Sequence, residues 1–215
     1  MARRQLWLAA GIILAVVCWQ AEAAAGDHKY VGAKKCKTCH KKELIGDQWG
    51  EWQKGVHSKA FETLKGEKAL EIAKEKGVSG PPSESEDCVK CHVTGHGLPK
   101  SAFAKKLKHA DGIQCESCHG PGKDYRKKKI MSDREKALAK GLWDVGKDPA
   151  ICTGCHNPES PTFDPKRYEL SDGTHVGFYF EQATARIVHP IPEDVKGRYL
   201  ELEEQQKKER DAAEE

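Results

Sequence analysis

Cys36-Lys37-Thr38-Cys39-His40, Cys88-Val89-Lys90-Cys91-His92, Cys115-Glu116-Ser117-Cys118-His119 and Cys152-Thr153-Gly154-Cys155-His156 stand in order along a chain of 215 residues. All four read Cys-x-x-Cys-His, the attachment pattern of a c-type haem. Two thiols add to the porphyrin vinyl groups and the adjacent histidine becomes an axial ligand of the iron. The spacing is chemical: one short turn must bring two sulfurs to one macrocycle edge and carry an imidazole under the metal. One such pentapeptide could arise by chance, but four use eight of the nine cysteines. The sequence therefore predicts four covalently bound haems, held by Cys36, Cys39, His40, Cys88, Cys91, His92, Cys115, Cys118, His119, Cys152, Cys155 and His156.

Other uses of cysteine account for the pattern less well. Zinc sites built from Cys-x-x-Cys pairs rarely carry His directly after every second cysteine. Thioredoxin-like motifs come singly, at a helix start in an alternating strand and helix pattern that this chain lacks. Disulfides would give no reason for four identical histidine placements. The ninth cysteine, Cys18, falls in a segment expected to be removed. There Arg3 and Arg4 precede an apolar run from Leu6 to Val17 and a small-x-small site at Ala21-Glu22-Ala23, as in a secretory signal peptide. The run is short for a membrane span. Residues 1–23 are thus read as a signal, and the mature chain is expected without a membrane span, in the periplasm or on the outer surface.

Composition agrees with an interior filled by prosthetic groups. Hydrophobic residues make up 38% and charged residues 32%, polar for a chain that must bury a core. The formal charge of +3 does not point to nucleic acid, because two propionates on each haem would turn the sign negative. Lysine-rich runs around Lys34 to Lys42 and Lys123 to Lys129 could dock acidic redox partners. Compensation of propionates, with solvation, accounts for them better.

Local patterns suggest helices and loops. Helices are expected over 43–52 and 58–76, the second from the helical spacing of Phe61, Leu64, Ala69, Leu70, Ile72 and Ala73. Gly80-Pro81-Pro82-Ser83 breaks the chain before the second motif, and Gly120-Pro121-Gly122 after the third. Ser132-Asp133-Arg134-Glu135 resembles a capping box opening a helix toward Lys140, with Gly141 as its stop. Further helices are expected over 180–188 and from Glu193 into an acid-rich tail at 201–215. No strand is convincing. The expected fold is mainly α with few or no strands, one compact multihaem domain over 24–200 whose core is built around four haems.

From Lys35 to Phe163 the chain resembles the cytochrome c-554 family of tetrahaem cytochromes. The matching residues are Lys35-Cys36-x-x-Cys39-His40 followed by Trp52-x-x-x-x-His57, then Cys88-Val89-x-Cys91-His92-Val93-x-Gly95-x-Gly97. The most specific piece is Cys115-Glu116-Ser117-Cys118-His119-Gly120-Pro121-Gly122. The resemblance implies a predominantly helical periplasmic electron carrier, with haems packed in close pairs and other redox proteins as partners. One departure stands out: the family pattern has a further histidine a few residues past Gly-Pro-Gly, where this chain has Lys127-Lys128-Lys129.

Four irons need up to eight axial ligands, and the motifs supply four. The mature chain has one methionine, Met131, so distal ligands must come from the remaining histidines. His57 follows Trp52 as in the family pattern, and His189 ends the expected helix after the fourth motif. His28 lies on a lead that could fold back over a haem or reach a neighbouring molecule, and His96 could meet an adjacent haem. These four are the distal candidates, while His109 and His175 are expected at the surface. The best functional reading is an electron-transfer relay between redox proteins, with no substrate chemistry of its own. The alternatives are a haem enzyme with one open iron acting on a small nitrogen or oxygen species, or a self-associating subunit of a haem filament.

Overall fold

The computed structural model describes residues 28–105 and 107–189, together with positions 193, 208 and 212. The expected signal segment, the ninth cysteine and almost all of the expected C-terminal helix and tail lie outside those residues. The described chain is mostly short helices: α1 (Lys34–His40), α2 (Gln48–Lys54), α3 (Ala60–Thr63), α4 (Glu67–Glu75), α5 (Glu86–Val89), α6 (Cys115–His119), α7 (Lys128–Met131), α8 (Arg134–Leu138), α9 (Ala150–Thr153) and α10 (Phe180–Ala185). Single turns of 3-10 helix join several of them. Among the described residues no helix is long and apolar enough to cross a membrane.

Helices are shorter than side-chain periodicity suggests, and the breaks have local causes. The helix expected over 43–52 is interrupted at Gly46 and Asp47, both at positive φ; the Asp47 carboxylate then caps α2 by accepting the Gly50 N–H at 3.0 Å. The one expected over 58–76 splits at Gly66, which takes an extended conformation before α4. In α8 the cap is Asp133, accepting from the Lys136 N–H at 3.0 Å, while Ser132 closes α7. The helix expected over 180–188 stops as α10 at Ala185. Where no strand was expected there is one small hairpin, β1 (Tyr168–Glu169) against β2 (His175–Val176), antiparallel with Tyr168 opposite Val176.

The apolar core made by the polypeptide is small. Leu64, Val89 and Val93 are buried together, with Phe61 and Cys88 packed against them. Polar ties do much of the remaining work. The Glu116 side chain is 0% exposed, and its carboxylate accepts the N–H groups of Val31 at 2.9 Å, Gly32 at 2.6 Å and Gly122 at 2.7 Å. Gln114, 2% exposed, accepts the Ala33 N–H through Oε1 at 2.8 Å. Two side chains at and just before the third motif thus bolt down the lead into α1, which carries the first.

Candidate haem-binding site

Cysteines three apart share one face of a helical turn, so each motif offers two thiols on one side and its histidine just beyond. The first and third motifs lie wholly within α1 and α6; the second and fourth begin in α5 and α9 and finish in the turn that follows. The eight motif cysteines form no disulfides and are half-buried except the exposed Cys39.

The four motifs are drawn together in a definite order. Cys36 and Cys115 perturb each other: hydrogen bonding between the thiols, then burial, pushes Cys36 up, and the same hydrogen bond pulls Cys115 down. Burial, then the neighbouring Cys152, pushes Cys118 up to about 11. Burial, then Cys91, pushes Cys155 up to about 12. Motif one therefore abuts motif three, three abuts four, and four abuts two.

Two candidate distal histidines face motif histidines. The His57 ring lies 6.1 Å from the His156 ring, centre to centre, at 67°. His189 lies 6.0 Å from His119 at 75°. A transition metal bound through a ring nitrogen on each side, at about 2 Å, sets two imidazole centres roughly 6 Å apart. The rings of His57, His119 and His156 make no hydrogen bond to another described residue, whereas His189 donates through Nδ1 to the Ile187 carbonyl at 2.8 Å. Burial, then His156, holds His57 below the usual imidazole range. Burial, then His189 and His40, lowers His119 to about 4. Burial, then Arg167, lowers His156. All three rings are thus held neutral, the form that binds metal.

The remaining motif histidines are oriented by hydrogen bonds at the other ring nitrogen. His92 donates through Nδ1 to the Ala60 carbonyl at 2.6 Å, and His40 through Nδ1 to Gln48 Oε1 at 3.2 Å. Such bonds leave Nε2 for the metal and fix the ring plane. His28 and His96 meet carboxylates instead: His28 Nδ1 is 2.8 Å from Asp124, and His96 Nε2 is 2.5 Å from Glu86. His109 is exposed against Phe61, and His175 is exposed on β2.

Backbone contacts aim the distal rings. The Trp52 indole N–H donates to the Ile113 carbonyl at 2.9 Å, and the Ile113 N–H donates to the His57 carbonyl at 2.9 Å. Gly112, just before, has φ +59°, and a Cβ there would stand 2.7 Å from the His57 carbonyl oxygen. On the opposite side, Phe178 stacks on His156 at 5.6 Å and 17°, backed by Tyr168 of β1, while α10 leads the chain to His189.

These residues fit haem c. Each motif has its two thiols and imidazole on one turn, two further imidazoles stand at metal-bridging separation, and one buried donor lacks an acceptor. That donor is the indole N–H of Trp49, a side chain 9% exposed with the Lys37 ammonium 5.1 Å from its ring. No group of three or more His, Cys, Asp or Glu side chains converges on a bare metal ion among the described residues. The structure brings the sequence candidates His57 and His189 to face His156 and His119. Sequence reasoning missed Glu116, Gln114, Gln48 and Asp124, polar residues whose role appears only once distant segments meet.

Comparison with known proteins identifies the family of the chain. Residues 35–120 match the family model described as cytochrome c554 and c-prime. The chain is 32% identical over 167 residues to cytochrome c-554 of Nitrosomonas europaea, covering 71% of this chain and 68% of that protein. The reduced-state structure of cytochrome c554 from the same organism superposes with a TM-score of 0.45 at 25% identity, over 76% of this chain and 80% of that one. At that TM-score the assignment rests on sequence. The chain belongs to the cytochrome c-554 family.

Proposed function

We propose that the processed chain binds four haem c groups, one at each Cys-x-x-Cys-His motif, and carries electrons between redox proteins outside the inner membrane. The observation that carries this reading is the pair of facing imidazoles, His57 with His156 and His119 with His189, at 6.1 and 6.0 Å. Haem, when bound, supplies an iron that takes up or gives away one electron, and bis-imidazole ligation favours lower potentials than methionine with histidine.

The chain's own residues set attachment, ligation and spacing. Paired cysteines fix one macrocycle edge per motif, and the adjacent imidazole approaches from one face. His57 and His189, which face the motif histidines His156 and His119, would supply the second imidazole to an iron held at motifs four and three and so exclude small ligands there. Because the motifs abut in the order one, three, four, two, groups held by them would lie next to one another in that order, as a relay requires. Partners dock outside that series, and the chain itself performs no substrate chemistry.

A second reading has one observation in its favour. His96 engages Glu86 through Nε2, so the second motif can keep an iron open to a small nitrogen or oxygen species. Optical and electron paramagnetic resonance spectra of the purified protein decide between them. A purely carrying role predicts low-spin irons that nitric oxide leaves unchanged. A high-spin signal that shifts with nitric oxide supports the second reading, and four fully low-spin haems exclude it.

A further inference from the structure

We infer that His28, hydrogen-bonded to Asp124, is the distal ligand of the iron bound at the first motif, so that this position too is closed. The inference rests on the four-haem reading above and assigns a ligand that reading leaves open. His28 is held on two sides. Its Nδ1 lies 2.8 Å from the Asp124 carboxylate, and its ring packs on Gly141, where a Cβ would come within 2.7 Å of it. A carboxylate on Nδ1 directs Nε2 outward as the metal-binding nitrogen, the arrangement usual behind ligating histidines.

The polypeptide ties this ring to the first motif. Lys123 donates its N–H to the Lys29 carbonyl at 3.0 Å, joining the segment after motif three to the lead that carries His28. Within that segment Asp124 holds His28, and Tyr125 is buried and donates to the Gly120 carbonyl at 2.9 Å. The lead from His28 then runs through Val31, Gly32 and Ala33, held by Glu116 and Gln114, directly into α1 and the first attachment cysteine. The other candidates are otherwise engaged: His96 uses Nε2 on Glu86, His175 sits on the hairpin bonded to the Lys166 carbonyl, and His109 packs on Phe61. Beside His28 is a cavity of about 440 Å³ walled by Lys123, Lys127, Lys129 and Lys140. Its ammonium groups are the complement that haem carboxylates need. In this chain the Lys127-Lys128-Lys129 run would then serve charge compensation, while the imidazole arrives from the N-terminal lead.

The test uses the holoprotein with four haems verified by mass. His28→Ala should convert one low-spin iron to high-spin and add one carbon monoxide bound per reduced protein, and free imidazole should restore the low-spin signal. Asp124→Asn should keep that iron low-spin but move its midpoint potential upward, a shift that loss of packing alone would not confine to one haem. Should His28→Ala fail to mature, the wild-type protein still decides. It should bind no more than one carbon monoxide after reduction, and two or more would overturn the assignment. A silent His28→Ala would overturn it as well. If His57→Ala and His189→Ala each still free one iron, only the first-motif ligand falls; if neither does, the underlying reading falls with it.

Discussion

Glu116 occupies a variable position of its motif, yet it is the most tied-down side chain among the described residues. Its carboxylate collects backbone N–H groups from the lead before motif one and from the turn after motif three. Burial pushes this carboxyl up, and the backbone donors from Gly122, Val31 and Gly32 pull it back. Glu116→Gln puts an amide donor against other donors at a fully buried position, and should cost about 1.5–3 kcal/mol in denaturation of the holoprotein. A change under about 0.5 kcal/mol, the range of an ordinary surface substitution, would show that the tie is dispensable. At the same scale, His57→Ala should turn one six-coordinate low-spin iron into a five-coordinate high-spin one that binds carbon monoxide when reduced. His109→Ala should leave the spectrum unchanged. The reverse outcome would mean that the distal ligands are misassigned.

At the scale of elements, Gly112 shows how a loop aims a ligand. Its positive φ and the crowding of a Cβ against the His57 and Ser58 carbonyl oxygens leave room only for glycine. Gly112→Ala should therefore destabilise the protein by about 1–3 kcal/mol and raise the high-spin fraction at one haem, read by electron paramagnetic resonance. Destabilisation with no spectral change would separate the loop from the ligand. The attachment motifs were legible in the sequence because bonding chemistry fixes their spacing. His57 and His189 stood out as candidates because histidines outside the motifs are few, and each faces a motif histidine. Helix lengths were not: the apolar spacing through Phe61, Leu64 and Ile72 runs across Gly66, where the backbone turns extended and two helices replace one. The Tyr168–Val176 hairpin was invisible because two-residue strands leave no alternating pattern. Glu116 and Gln114 were missed for another reason, since their partners in the lead to α1, Val31, Gly32 and Ala33, lie more than 80 residues away.

Across the whole molecule, contacts between motifs matter more than any one site. The small protein-only core around Leu64, Val89 and Val93 cannot by itself organise the described chain, and the attachment motifs meet one another where a larger core would be. Each haem is then a large part of the interior. Replacing both Cys115 and Cys118 with Ala should remove one haem and with it the cooperative fold, seen as loss of a sharp thermal transition. A well-folded product with three unperturbed haems would place the third group at the periphery. The claim beneath all of these is the haem count, and intact-mass spectrometry of protein matured with a haem-attachment system reads it directly. The account predicts a processed chain carrying four covalent haems; a homogeneous mature species carrying three or fewer would contradict it.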